Sequence, residues 1–367
     1  MEYDFLIVGS GLSGSTLAER LSHKYKKILL IDKRSHLGGN VYDEYDKNNV
    51  LIHKYGPHIF HTNSKEVFDY LSNFTEWIKY EHKVVSFVDN KFVPIPVNRN
   101  TLNLIFNEHL KTDEETSIYL DKLKKNIKII KSAKDVVLSK IGKELYKKLF
   151  EGYTKKQWGI KPEKLSPEIT KRIPIRINCD DRYFSDLYQY MPKDGYTAMI
   201  KKMLSNKKIK ILLNTDFRNL DKKITYKNLI YTGPIDYFFN YKYGKLNYRS
   251  IYFEFESYNK NHYQNYPVIN YPDEKINYTR ITEFKYLTGQ KINKTTIVKE
   301  YPQSKGDEYY PILTAEDKKI YEKYKKEALK LKNTYFVGRL AEFKYYNMDQ
   351  AVAAALSLSK KILAMEV

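Results

Sequence analysis

Cysteine is nearly missing from this chain: Cys179 is the only one among 367 residues. An internal disulfide is therefore excluded, and such sparse usage fits a reducing compartment. No apolar run reaches the roughly 18 to 20 residues that spanning a bilayer requires. The first residues also lack a basic segment followed by an apolar one, so neither a membrane span nor a secretory signal is expected. His53, His58 and His61 lie close together, but no acidic or cysteine partner completes a zinc signature, and no metal is expected. Repeat arrays and low-complexity linkers are missing too. What remains is a globular, cytoplasmic protein, long enough for a large core and for two or three structural units.

Positive charge and tyrosine are in excess instead. The formal net charge is +20, and there are 35 tyrosines. Charge of this sign suits nucleic acid, an anionic membrane or a small polyanion. Much of it, however, is lysine in helical stretches such as "DKLKKNIKIIKSAKD" and "KKIYEKYKKEALKLK". Those read as solvated faces, and nucleic-acid binding is not expected. The tyrosines follow a bias towards Lys, Tyr, Asn and Ile, so their positions matter and their number does not.

The first informative positions are at the start. Leu6, Ile7 and Val8 read as a buried strand, and Gly9, Gly11 and Gly14 supply G-x-G-x-x-G before a helical pattern at Leu17 and Leu21. Such glycines allow a tight turn, close approach to a pyrophosphate and close helix–strand packing. The helix start offers free N–H groups to phosphate. A second strand, "KILLID", ends at Asp32, placed to accept hydrogen bonds from the adenosine ribose. Next come Arg34 and the doublet Gly38-Gly39, in an order that resembles the FAD fingerprint of glutathione-reductase-type flavoproteins. The chain holds no second G-x-G-x-x-G, so a flavin protein without a dedicated nicotinamide domain is expected.

Farther along, "SKEVFDYLSNF" reads as a helix and "KVVSFVDNKFVPIPV" as two strands joined at Asp89-Asn90. The pattern from about 100 to 182 is helical. "IKILLN" and "NLIYTGP" read as strands, whereas "YRSIYFEFESY" and "TTIVKEYP" alternate as in a half-buried antiparallel sheet. "NTYFVGRLAEFKYYNMDQAVAAALSLSKKIL" reads as strand, turn and closing helix. The expected fold class is α/β: an FAD-binding Rossmann-like domain with a helical-bundle insert and an antiparallel β-sheet domain. Residues 1–80, 192–237 and 313–367 would form the first, 100–182 the second, and 81–99 with 238–312 the third.

The stretches "HKYGPHIFHTN", "GYTKKQWG", "KRIPIR", "YFSDLYQ", "YTGPID", "YTRI", "YYP" and "GRLAEFKYYNMDQ" together resemble the UDP-galactopyranose mutase family, in register over essentially the whole chain and in its bacterial form. The resemblance implies an isomerase (an intramolecular transferase) that interconverts UDP-galactopyranose and UDP-galactofuranose for cell-surface polysaccharide. It also implies a cofactor, FAD, that must be reduced, with N5 of the flavin as nucleophile at the anomeric carbon, and a homodimeric assembly.

Residue by residue, the resemblance implies a cofactor site of Gly9, Gly11, Leu12, Gly14, Asp32, Lys33, Arg34, Gly38, Gly39, Asn40, His58, Ile59, Arg339, Met348 and Asp349. For the UDP-sugar it implies Tyr153, Thr154 and Trp158, Tyr183 against uracil with Phe184 nearby, and Asn270 at the uracil edge. Arg172 and Arg280 would hold the diphosphate, with the hydroxyls of Tyr310 and Tyr345, and Arg249 is a further candidate. His61 and Asn347 belong to the same pocket. Arg172, Arg280, His58, Tyr310 and Tyr345 are the candidates for catalysis. The residue types suit the task, since a UDP-sugar needs an aromatic platform, cations for the diphosphate and a polar hexose pocket. The stretch 163–175, with two prolines and few large apolar residues, reads as a loop, and the resemblance implies a lid there that delivers Arg172.

Two positions depart from many bacterial members. Asn347 stands where they have a carboxylate, and His82 where they have an asparagine. Both are implied near the hexose, so the same chemistry on UDP-N-acetylgalactosamine or a related UDP-hexose stays open. A flavin oxidoreductase and a non-enzymatic polyanion binder are the remaining alternatives.

Overall fold

The structure, a computed structural model, describes residues 2–171 and 174–365. Its centre is a five-stranded parallel sheet in the order Ile209–Leu212, Ile28–Ile31, Glu2–Val8, Thr225–Tyr231, Thr334–Phe336. Every residue of Ile28–Ile31 is buried, as expected of parallel strands covered on both faces. The helix Leu12–Ser22 packs against the closing helix Met348–Ala364, and Leu17, Leu21, Val352 and Ala355 join one core with the sheet residues Phe5, Ile7 and Leu30. Gly14 makes that packing possible, because a Cβ there would stand 1.9 Å from the Gly9 carbonyl oxygen.

The second sheet has seven strands in the order Tyr310–Pro311, Tyr248–Tyr258, Thr295–Gln303, Arg280–Glu283, Val268–Asn270, Val84–Val88, Lys91–Ile95. The Val84–Val88 and Lys91–Ile95 hairpin turns at Asp89 and Asn90, with φ of +50° and +59°. Both central residues of such a tight turn need positive φ, which Asn and Asp tolerate. One pairing departs from the antiparallel expectation: Val268–Asn270 runs parallel to Val84–Val88. Only hairpin-connected strands are obliged to be antiparallel, and these two are separated by about half of the chain.

Between the hairpin and the rest of that sheet lie the helices Arg99–Phe106, Asp113–Leu123, Ala133–Leu145 and Gly152–Trp158. The stretch 163–175 is not simply a loop. It contains a 3-10 turn at Pro162–Lys164 and the short helix Glu168–Lys171. Leu165 and Ile169, four residues apart, are buried against Ala133 and Trp158, and the Thr170 hydroxyl donates to the Ala133 carbonyl at 3.0 Å. Two apolar anchors hold the part of this segment up to Lys171 onto the helices. A small three-stranded sheet, Phe60–Thr62, Tyr188–Pro192 and Trp77–Lys79, joins parts distant in sequence. Among the described residues no helix is long and apolar enough to cross a membrane.

Candidate functional site

At the carboxyl ends of the parallel strands, where an open α/β sheet binds its ligand, lies a cavity of about 430 Å³. Gly9, Gly11 and Leu12 form one wall and Gly38, Gly39 and Asn40 another. The Gly38 N–H donates to the Ser10 carbonyl at 3.1 Å, which holds the two glycine segments together. Asp32 is on the rim of the sheet and buried. Its carboxylate accepts from the Ser10 N–H (2.8 Å) and hydroxyl (2.7 Å) and from the Arg34 N–H (2.9 Å), so its orientation is set before any ribose is considered.

Lys33 and Arg34 also line this cavity, and each is tied to a turn from the second sheet. The Arg34 guanidinium lies 4.1 Å from the centre of the Tyr55 ring and donates to Asn40 Oδ1 and Asp307 Oδ2, each at 2.9 Å. Lys33 pairs with Glu308 at 3.8 Å, and Glu308 itself lines the cavity. Residues 307–308 therefore clasp the mouth of the cavity.

At the other end stand His58, Arg339, Asn347 and Met348, and these same four line a second cavity of about 420 Å³. The two spaces meet there. The His58 Nδ1–H donates to the Gly56 carbonyl at 2.9 Å, and the His58 backbone N–H donates to His53 Nδ1 at 3.0 Å. Burial pushes the His58 imidazole down to about 3, with His53, Arg339 and Arg280 contributing and the Gly56 carbonyl opposing. The ring is neutral in the working pH range, with its Nε2 lone pair unprotonated. The Arg339 guanidinium donates to the carbonyls of Tyr309 (3.2 Å) and Tyr346 (2.6 Å) and lies over the rings of Tyr310 and Tyr345.

The second cavity collects most of the nominated substrate residues. Thr154 and Trp158, at i and i+4, share a face of the helix Gly152–Trp158, which follows a π-helical stretch at Tyr146–Glu151. Such stretches often accompany functional sites. Tyr153, Tyr183, Phe184, Ile59 and His61 also face the space. His61 stacks on Phe184 at 3.6 Å and donates through Nδ1 to Asp186 at 2.9 Å. His82 lines the same wall, its Nδ1 within 3.0 Å of the Tyr80 hydroxyl, and burial holds it at about 3. Tyr310 and Tyr345 are stacked at 5.5 Å and 14°, and burial beside Tyr345 pushes the Tyr310 hydroxyl up to about 12.

Asn270 and Arg280 are cross-strand partners, as are Arg280 and Glu300. The Arg280 Nε–H donates to Glu300 Oε1 at 2.7 Å, and Glu300 is fully buried with its other oxygen unpartnered among the described residues. Burial works against the guanidinium charge, but Glu300 outweighs it and keeps Arg280 charged. The pair leaves the guanidinium's other N–H groups for an anion in the cavity.

Four nominations are corrected. Ile59, nominated for the cofactor, lines the second cavity and not the first. Arg249 faces neither cavity: its guanidinium donates to the carbonyls of Gln157 (3.0 Å) and Lys156 (3.1 Å). It thus caps carbonyls that the end of the helix leaves unsatisfied. The Asp349 carboxylate turns to the Thr62 hydroxyl, at 3.0 Å, and is not part of the cavity wall. Gly14 serves helix packing and lines no cavity. Arg172 lies outside the described residues. Missed altogether were Glu300, Asp186 and Lys156. Glu300 carried a signal: an acid in phase with Val298 on the inward face of an alternating strand.

A family model described as UDP-galactopyranose mutase matches residues 148–345, and one described as NAD(P)-binding Rossmann-like domain matches residues 7–74. The chain is 37% identical over 366 residues to a probable UDP-galactopyranose mutase of Klebsiella pneumoniae, covering 98% of this chain and 95% of that protein. It is 34% identical to a dTDP-fucopyranose mutase of Escherichia coli, covering 97% of each. A crystal structure of reduced UDP-galactopyranose mutase superposes with a TM-score of 0.80 at 16% identity, covering 99% of this chain and 96% of that one. From the matched model and from relatives that align almost end to end, the chain belongs to the UDP-galactopyranose mutase family.

Proposed function

We propose that this chain interconverts UDP-galactopyranose and UDP-galactofuranose, with reduced FAD held in the first cavity and the UDP-sugar in the second. The observation that carries this is the shared wall: His58, Arg339, Asn347 and Met348 border both spaces, so the reactive end of a dinucleotide and the sugar of a nucleotide would meet there. The first cavity fits FAD in its parts, with paired glycine walls for the diphosphate, a pre-oriented Asp32 for the ribose, and the start of the helix Leu12–Ser22 aimed at the phosphates. When bound and reduced, the flavin supplies a nucleophile for the anomeric carbon, which a ring contraction without net redox change requires.

The protein's own share is binding, orientation and exclusion of water. Tyr183 and Asn270 would hold the uracil. Arg280, Tyr310 and Tyr345 would hold the diphosphate as the anomeric C–O bond to it breaks and re-forms. Glu300 consumes part of the Arg280 charge, so the diphosphate calls for a second cation; Arg172, within the segment 163–175, would provide it when that segment closes. A neutral His58 would accept a hydrogen bond at the shared wall without repelling Arg339. Arg339 and the amino end of the helix Met348–Ala364 would stabilise negative charge on the reduced ring. A homodimer in the cytoplasm completes the proposal, and the exposed Cys179 fits a reducing compartment.

The test is to incubate protein, reduced and oxidised, with UDP-galactopyranose, UDP-N-acetylgalactosamine and dTDP-fucopyranose, and to separate the products. Furanose from UDP-galactose only after reduction is the expected result. Bound UDP-galactose with no furanose would end the proposal.

A further inference from the structure

Lys156, on the helix that carries Tyr153 and Trp158, points away from the sugar cavity and into a loop. Its ammonium lies within hydrogen-bond distance of four backbone carbonyls, among which its three N–H groups are shared: Tyr271 (2.5 Å), Asp273 (2.8 Å), Ile276 (2.8 Å) and Tyr278 (3.0 Å). All four lie in the short connection between Val268–Asn270 and Arg280–Glu283. Asn270 and Arg280 are the residues at the two ends of that connection, and they pair across the strands. A surface lysine has no need of four carbonyl acceptors. This one acts as an internal cation around which the loop is wound.

Two neighbouring contacts bring the same surfaces together. Lys155 pairs with Glu274 at 2.5 Å. Gly152, at the start of the helix, sits so close that a Cβ would stand 2.2 Å from the Pro272 carbonyl oxygen. Arg249 clamps the far end of the same helix through the Lys156 and Gln157 carbonyls. The helix thus meets the loop by backbone approach at one end and by a half-buried ammonium in the middle.

We propose that Lys156 is a positioning residue for nucleotide recognition, locking the helix Gly152–Trp158 to the 271–279 loop so that Tyr153, Asn270 and Arg280 keep a common register around the uracil and diphosphate. Its role rests on the UDP-sugar site proposed above. Lys156 lines neither cavity, so it acts only through the residues that do. Burial pushes its ammonium down to about 8, against the pull of Asp273 and Glu274. Of the neighbouring cations, Lys155 on its own helix pairs with Glu274, and Arg249 from the strand Tyr248–Tyr258 donates to the Lys156 backbone carbonyl.

The experiment uses FAD-loaded Lys156→Met and Lys156→Arg proteins. Calorimetry with UDP is expected to show affinity lowered about ten- to a hundredfold in Lys156→Met, the range set by losing charge-assisted hydrogen bonds. FAD content should be unchanged, and kcat/KM should fall mainly through KM. Lys156→Arg should recover only part, because a planar fork cannot converge on four acceptors around one point. Hydrogen exchange in 271–279 should rise in Lys156→Met. The ratio of wild-type to Lys156→Met affinity should shrink as pH rises through about 8, a change in which the titration of UDP cancels. Equal UDP affinity in wild type and Lys156→Met overturns the role. If wild type itself binds no UDP, the substrate proposal fails instead; unchanged exchange in 271–279 would then still dispose of the lock. Should Lys156→Met not fold, the Arg variant decides: full wild-type UDP affinity there refutes the geometric argument.

Discussion

Replacing Glu300 is the sharpest probe of how the diphosphate is held. Its carboxylate is fully buried, one oxygen accepts from Arg280 and the other has no partner among the described residues. In Glu300→Gln the amide oxygen can keep the Arg280 bond while the NH2 group occupies the unpartnered position. The change then removes a charge and leaves a buried donor unsatisfied, a loss of about 2 kcal/mol. Glu300→Met removes the acceptor as well and leaves a partly buried guanidinium unpaired, for about 3 kcal/mol, the low end for a buried pair because Arg280 opens onto the cavity. UDP brings negative charge back to Arg280, so saturating UDP should restore more stability to both variants than it adds to wild type. Urea unfolding of the three proteins, each with and without UDP, reads this directly. If Glu300→Met unfolds at the wild-type midpoint, or gains no more from UDP than wild type does, Arg280 is not held as argued.

Three further outcomes follow from the geometry. Asp307→Asn combined with Glu308→Gln opens the clasp over Lys33 and Arg34; FAD should dissociate roughly three to ten times faster, as partly exposed pairs allow, and salt should accelerate release in wild type but not in the variant. Flavin fluorescence after dilution measures it. His53, His58 and His82 are each held at about 3 in the fold, mainly by burial, against an unfolded value near 6.5. The unfolded chain alone takes up these protons below pH 6.5, so their contribution, complete above that pH, should be lost on acidification at about 1.4 kcal/mol per pH unit for each histidine; urea midpoints at pH 7, 6 and 5 test the slope, and His82→Gln should flatten it. Tyr310→Phe keeps the stack on Tyr345 but removes a buried hydroxyl, and steady-state kinetics should show kcat/KM reduced roughly tenfold with the flavin spectrum unchanged.

Legibility followed sequence separation. The glycine turn, its following helix and Asp32 occupy one β-α-β stretch, and their arrangement could be read because each needs only its neighbours. The Asp89-Asn90 turn and the alternating strands Tyr248–Tyr258 and Thr295–Gln303 are local in the same sense. Partners supplied by distant segments could not be read: His61 with Asp186, Lys33 and Arg34 with the 307–308 turn, and Lys156 with a loop more than a hundred residues away. Arg249 shows the opposite failure. An arginine in a nominated motif was assigned to a ligand, whereas the end of a helix claimed it first. Likewise the prolines in 163–175 suggested an open loop, but Leu165 and Ile169 anchor the part up to Lys171.

The order of the parallel sheet has a bearing on how this protein comes into being. Its first two strands are made from residues 2–31, but the strand Thr334–Phe336, Arg339 and the helix from Met348 to Ala364 leave the ribosome about three hundred residues later. Tight dinucleotide capture must therefore wait until those later residues have emerged, and a nascent chain arrested before residue 334 should leave its early glycine turn without the surface that completes it.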